Sequence, residues 1–249
     1  MPEGPTIIIL KEAVQAFKGQ KVLRAEGTTK KLDPALLNNR VITDFKSWGK
    51  HFLICFDTIT VRIHFMLFGS YLINERKAAI PRLSLQFDDG ELNLYACAVQ
   101  LIEKPIDEVY DWTADVMSPA WDGNSAIRKL RENPAMLACD ALLNQEIFAG
   151  VGNIIKNEVL FRIHVHPGNL VGNIPENKLA EMTEEAVNYS FDFLRWKKEF
   201  TLKKHWLAHT KKTCPRDHIP FHKEYMGKTN RRTFYCPVCQ ELYQDNEAP

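Results

Sequence analysis

Eight short runs crowd into residues 22–102, and they restrict the fold more than any other feature of the chain. Val22–Ala25, Val41–Ser47, His51–Phe56, Thr60–Phe65, Ser70–Ile73, Leu83–Phe87, Glu91–Tyr95 and Ala98–Ile102 each read as a strand. Turn formers such as Asp57-Thr58, Gly69 and Asp88-Asp89-Gly90 separate several of them. Many short strands at close spacing predict a β-sandwich or barrel. Ahead of them, Ile7, Leu10, Val14 and Phe17 recur at helical spacing over residues 6–17, with Pro5 suited to the first turn and Thr6 able to help cap it. Residues 106–124 read as a linker, and helical patterns follow over 125–132, 134–146, 152–163 and 177–198. The expected architecture is α+β and multidomain. Residues 1–115 form an N-terminal β-sandwich with a leading helix, 125–204 a helical domain, and 205–245 a small C-terminal finger.

The 249 residues suffice for real cores, and 45% hydrophobic with 25% charged content is ordinary for a globular protein. The longest apolar runs, such as Ile7-Ile8-Ile9-Leu10, fall far short of a membrane span, and the N-terminal residues lack the basic start of a signal peptide. An intracellular protein without a membrane partner is expected, and a monomer. The net charge of +1 hides an uneven distribution: from Arg195 to Arg232 twelve Lys and Arg residues face only Glu199, Asp217 and Glu224. Such a stretch suits a phosphate backbone, although a solvated charged surface would look the same.

Three stretches carry chemistry. The first is Met1-Pro2-Glu3-Gly4-Pro5-Thr6. Met1 precedes a small residue and is expected to be removed, leaving Pro2 as a secondary amine. An α-amino group has a pKa near 7.7–8.0, so it is partly unprotonated and nucleophilic at neutral pH. Glu3 beside it can move protons. The second runs from Leu142 to Glu158, where two helical patterns are split by Ala149-Gly150-Val151-Gly152-Asn153. Asn153 opens the second pattern, where backbone amides can hold a phosphate. By spacing alone this is either a helix–two-turn–helix element or a plain interhelical turn. In the third, Cys236-x2-Cys239 is half of a zinc ribbon, and Cys214 supplies a third ligand. The fourth ligand is open among Asp217, His218 and His222; His218, in a Cys-x3-His arm, is favoured because imidazole suits zinc. Cys55, Cys97 and Cys139 lie apart in apolar surroundings and read as buried reduced thiols.

Taken together, these stretches resemble the formamidopyrimidine-DNA glycosylase / endonuclease VIII family. The resemblance rests on Pro2-Glu3-Gly4-Pro5, Trp48-Gly49-Lys50-His51, Gln145 through Glu158, and Arg231-Arg232-Thr233-Phe234-Tyr235-Cys236, in the family's order. It implies a helix–two-turn–helix domain, a β-hairpin zinc finger with structural Zn2+, and damaged DNA as partner. It also implies roles. Pro2 is the Schiff-base nucleophile and Glu3 the acid/base carboxylate. Lys50 contacts phosphate and assists β-elimination, Arg231 clamps phosphate and is linked to δ-elimination, and Asn153 holds the backbone near the lesion. Glu158 matches a buried carboxylate beyond it and is counted, with His64, among the DNA-binding residues. The run His64-Phe65-Met66-Leu67-Phe68-Gly69 lies where the family has its wedge, with Met66, Leu67 and Phe68 able to enter the base stack left by a flipped nucleotide. Read without the family, the same residues are equally a buried strand.

Three departures refine the expectation. Pro-Glu-Gly-Pro-Thr resembles the endonuclease VIII branch, which favours oxidised pyrimidines. Residues 95–101 do not match the loop with which the formamidopyrimidine branch faces the orphaned base, and Cys139 replaces a common lysine. The function expected is a bifunctional DNA glycosylase/AP lyase of base-excision repair acting on oxidised bases. The alternatives are an 8-oxoguanine/formamidopyrimidine specificity and a non-catalytic binder of damaged DNA.

Overall fold

The protein is described by a computed structural model covering residues 2–244. Met1, whose removal is expected, lies outside the described residues, as does residue 245 at the end of the expected finger. The chain falls into two compact units, Met1–Asp111 and Trp112–Pro249.

The first unit opens with helix α1, Gly4–Ala13, which continues as a single 3-10 turn over Gln15–Phe17. The Glu3 backbone N–H donates to Thr6 Oγ1 at 3.1 Å, and that hydroxyl donates back to the Glu3 carbonyl at 2.7 Å. Thr6 thus fastens the start of the helix from inside its first turn, and the main chain of Glu3, the cap residue, is fixed. Ile7, Leu10, Val14 and Phe17 are all buried in the unit's core, as their spacing demands.

Six antiparallel strands follow: β1 Arg24–Glu26, β2 Asp44–Trp48, β3 His51–Cys55, β4 Thr60–Ile73, β5 Leu83–Phe87 and β6 Gly90–Ile102. They hydrogen-bond in the order β1-β5-β6-β4-β3-β2. The segments leading into the two end strands meet at Lys21 and Val41, so the ends of the sheet are drawn together around one core. This is the expected β-sandwich fold, with fewer and longer strands. Ser70–Ile73 continues the Thr60–Phe65 strand within β4, and the last two runs fuse in β6. The fusion has a local cost: Phe65 pairs with Cys97 and Ser70 with Tyr95, so residues 66–69 stand opposite the single residue Ala96, whose φ is +47°.

The second unit is helical, with α2, Ile106–Val109, lying ahead of it in the first unit's tail. Its helices are α3 Gly123–Arg131, α4 Ala138–Ala141, α5 Asn153–Arg162 and α6 Glu176–Lys198. The helix expected over 134–146 shrinks to α4 alone. The Ala138 and Cys139 amides donate to the carbonyls of Asn169 and Pro167, and residues after Ala141 are held by turns around Asn144. The antiparallel hairpin β7 His222–Met226 and β8 Arg231–Tyr235 completes the unit. Phe161 of α5 packs with Ala208, Cys214, Phe221 and Cys236 in a small core beneath the hairpin. Among the described residues, no helix is long and apolar enough to cross a membrane.

Candidate active site and metal centre

In the first unit, Pro2 is half-buried and Glu3 is only 1% exposed, directly at the start of α1. Lys50 sits in the two-residue turn joining β2 and β3, after Gly49 at φ +52°, a conformation that favours glycine. Aromatic groups buttress this turn. Trp48 packs 5.6 Å from His51 and 5.0 Å from Tyr110, and its Nε1–H donates to the Asp111 carbonyl at 2.8 Å. His51 meets the ring of His64 edge-on at 5.3 Å, where β3 pairs with β4. Burial, reinforced by Arg62, His64 and Lys50, drops the His51 pKa to about 3, and burial with Lys50 and Arg62 lowers His64 too. Both rings are therefore neutral at physiological pH, and the fixed positive charge here is carried by Lys50 and Arg62.

The 66–69 bulge resolves the alternative left open for this run. Met66, Leu67 and Phe68 are 54%, 53% and 84% exposed, whereas Phe65 before them is buried. They are not core. Gly69 makes the extrusion possible: a Cβ there would lie 2.7 Å from the Phe65 Cβ and 2.9 Å from the Ala96 carbonyl oxygen. Three consecutive large apolar side chains are thus held in water by backbone that only glycine allows.

In the second unit, the loop from Leu143 to Gly152 is stapled by Gln145. Its Nε2 donates to the Leu143 and Val151 carbonyls at 2.8 and 3.1 Å, and its Oε1 accepts from the Gly150 amide at 3.1 Å. Gly150, at φ +101°, turns the chain into α5. Helix α5 is buried on nearly all sides, including the successive polar residues Lys156, Asn157 and Glu158. These side chains, with Asn153, grip the finger. Asn153 Nδ2 donates to the Arg232 carbonyl at 2.9 Å, and Lys156 Nζ donates to Thr233 Oγ1 at 2.8 Å. Asn157 Oδ1 accepts from the Phe234 amide at 3.2 Å. Glu158 accepts from the amides of Leu207, Ala208 and His209 at 2.8–3.1 Å. At the hairpin tip, Asp140 accepts from the Lys228 amide at 2.9 Å, beside Gly227, where a Cβ would collide with its carboxylate. Strand β8 is thus fixed along its length, while Arg231 at its start is exposed.

Cys214, Cys236 and Cys239 converge with Asp217, their ligand atoms all within 4.8 Å of one another. The sulfurs of Cys214 and Cys239 are 3.8 Å apart, and Asp217 Oδ2 lies 3.4 Å from Cys214 Sγ and 3.1 Å from Cys236 Sγ. Zinc–sulfur bonds of about 2.3 Å in a tetrahedron put sulfurs roughly 3.8 Å apart, so this donor set fits one divalent ion. The fourth donor differs from the expectation. His218 is exposed and adopts φ +57°, and its ring is not among the converging atoms. Asp217 occupies the place where a Cys-x2-Cys arm would put its second thiol, so the shorter Cys-x2-Asp arm closes the cluster. His222, the third alternative, opens strand β7 and is exposed.

Models of the formamidopyrimidine-DNA glycosylase N-terminal domain and of the formamidopyrimidine-DNA glycosylase H2TH domain match residues 1–98 and 113–190. The chain belongs to the formamidopyrimidine-DNA glycosylase / endonuclease VIII family. Endonuclease 8-like 2 of Mus musculus is 26% identical, over 96% of this chain and 96% of that protein. Endonuclease 8-like 3 of Mus musculus is 29% identical over 83% of this chain, a region that is 36% of that longer protein. Among solved structures, a viral DNA glycosylase shares the fold with a TM-score of 0.83 at 22% identity, over 96% of this chain and all of that one. The formamidopyrimidine-DNA glycosylase of Lactococcus lactis, bound to DNA containing an AP site, gives 0.83 at 20% identity, over 96% and 99%. The family is one of base-excision-repair DNA glycosylases. Asp140, Lys156 and Asn157, which help organise the second unit, were not assigned these roles from the sequence, and Asp217 was weighed there behind His218. The local signal was a lone acid in Ala138-Cys139-Asp140-Ala141 and a polar run at Lys156-Asn157 inside otherwise apolar helical spacing, and nothing local told whether either was buried.

Proposed function

We propose that this chain removes oxidised bases from DNA and then cleaves the abasic strand, with Pro2 as nucleophile. The observation that carries this reading is the extruded, exposed apolar run Met66-Leu67-Phe68 on the same unit as Pro2 and the buried Glu3. An amine can reach C1′ only when the nucleotide has left the stack, and a flipped nucleotide leaves a gap that apolar side chains can fill. The Pro2 nitrogen attacks C1′ and the bond to the base breaks, the base leaving with a proton. Glu3 delivers a proton to the ring oxygen, C1′–O4′ opens, and the nitrogen lone pair forms an iminium. This acidifies C2′: loss of a C2′ proton expels the 3′ phosphate, and a second elimination expels the 5′ phosphate. Lys50, His64 and Arg231 serve phosphates rather than bases, and Asn153, whose side-chain donor is taken by the Arg232 carbonyl, serves them through the backbone at the start of α5; this positions the strand without reading sequence. Glu158 supports DNA binding through architecture, its carboxylate holding the amides of Leu207, Ala208 and His209.

Sodium borohydride trapping on an abasic duplex tests the reading. Protein whose Met1 removal is verified by mass spectrometry is expected to give a covalent band. Pro2→Gly should greatly slow it, and one extra residue ahead of Pro2 should abolish it by moving the amine roughly 3.8 Å. No band from the processed protein would sink the lyase and leave the binding-only alternative.

The cluster of Cys214, Asp217, Cys236 and Cys239 is the proposed Zn2+ site. A bound zinc would supply fixed geometry rather than chemistry, tying the Cys214 arm to the end of β8. About one zinc per chain is expected in a chromophoric release assay. Asp217→Ala should release it more readily than His218→Ala; the reverse order would return the fourth position to His218.

A further inference from the structure

Helix α6 ends in a Schellman motif: the Phe200 amide donates to the Lys197 carbonyl at 3.2 Å and the Thr201 amide to the Trp196 carbonyl at 2.9 Å. The residue that turns the chain must adopt a left-handed conformation, and glycine is the usual choice because side chains clash there. This chain places Phe200 at that point, at φ +58°, and leaves it 95% exposed. The fold gains nothing from it. The apolar anchor of the turn is Leu202, which is buried, and the loop is closed by Trp196, whose ring stacks on His205 at 4.1 Å and 4°. A strained, wetted aromatic ring on a rigid turn calls for a partner outside the chain.

The chemistry around it identifies that partner. Lys197, Lys198, Lys203 and Lys204 lie within four residues of Phe200 in sequence, and Lys211 and Lys212 follow. From Phe193 to Thr213 Glu199 is the only acidic residue. Lysines attract a phosphate backbone, and an exposed ring stacks on a nucleobase whose face is free. A continuous duplex offers phosphates but hides its base faces, and an acidic peptide offers charge without a planar face. We infer that Phe200 and its flanking lysines form an auxiliary site for single-stranded DNA, separate from the Pro2 chemistry and independent of it.

The test measures fluorescence anisotropy of a short fluorescein-labelled deoxythymidine oligonucleotide, beside a blunt, undamaged duplex, at one fixed salt concentration. Phe200→Gly is expected to weaken oligonucleotide binding about 5- to 100-fold, with duplex binding changed by less than about twofold. Its melting temperature should hold or rise, since glycine relieves the turn, and trapping on an abasic duplex should not change. Phe200→Trp should restore affinity, its added fluorescence quenched as the oligonucleotide stacks. Lys203→Glu with Lys204→Glu should weaken oligonucleotide binding and, in a separate titration over several salt concentrations, flatten its salt dependence. Unchanged oligonucleotide affinity in Phe200→Gly would overturn the inference. So would an equal loss on the duplex, or poly-glutamate competing as well as the oligonucleotide.

Discussion

Glu3→Gln is expected to slow excision of an oxidised base by about 10²- to 10⁴-fold, the usual contribution of a positioned general acid. The fold should survive. The Glu3 position is set by its main chain, bonded to Thr6 in both directions, and glutamine fills the same buried space. What glutamine cannot do is give up and recover a proton at the ring oxygen. A preformed abasic site, already in equilibrium with its open aldehyde, needs that proton less. Borohydride trapping on abasic DNA should therefore fall less than base excision does. Single-turnover rates on an oxidised-pyrimidine duplex and on an abasic duplex, with thermal melting as the control for folding, measure the split. Equal losses on both substrates would mean that Glu3 positions the strand rather than protonating the sugar.

The largest stability effect is expected from Glu158→Ala. Its carboxylate is fully buried and accepts from the successive amides of Leu207, Ala208 and His209, with the Arg162 Nε 3.8 Å away. Alanine would leave three amides unpaired where water cannot readily replace the acceptor. At about 1–3 kcal/mol for each orphaned buried group, the loss is on the order of 3–5 kcal/mol. For a protein of this size that lowers Tm by roughly 10 °C. Glu158→Gln retains one acceptor oxygen in the same place, and its loss should be less than half as large. A Tm within about 2 °C of wild type for the alanine variant would show that the 207–209 segment does not depend on this carboxylate.

How far the sequence could be read follows from the reach of the signals. Ile7, Leu10, Val14 and Phe17 declared a buried stripe because one face of a helix repeats locally, and all four are in the core. The strand runs were legible for the same reason. Their joining into two long strands was not, because it depends on Ala96 at φ +47° and on pairing across the sheet. Composition alone could not separate an exposed bulge from a core strand at Met66-Leu67-Phe68; the deciding residue, Gly69, acts through a contact with Ala96, 27 positions away in sequence. Asp217 and His218 adjoin each other, so ligand preference favoured the imidazole while the backbone turn after Cys214 brought in the carboxylate. Lys156-Asn157-Glu158 carried no mark of burial, because their partners lie some 50–77 residues further along the chain.

The 66–69 bulge has a mechanical consequence. Its shape is imposed by backbone on both sides, so in the proposed role the run Met66-Leu67-Phe68 would need no backbone assembly at the moment of use. Pressed against a duplex, such a run spends rotamer freedom of its side chains but no backbone ordering, and most of the work of parting two bases falls on the DNA. Met66 and Leu67 are already about half covered, so covering what remains of the three would return roughly 3–5 kcal/mol in all, comparable with the few kcal/mol needed to unstack a step. Two quantities that nearly cancel make a sensitive balance. A sound stack resists and a weakened one yields, so the first sieve for damage would be the stiffness of the helix, with the identity of the base consulted only afterwards.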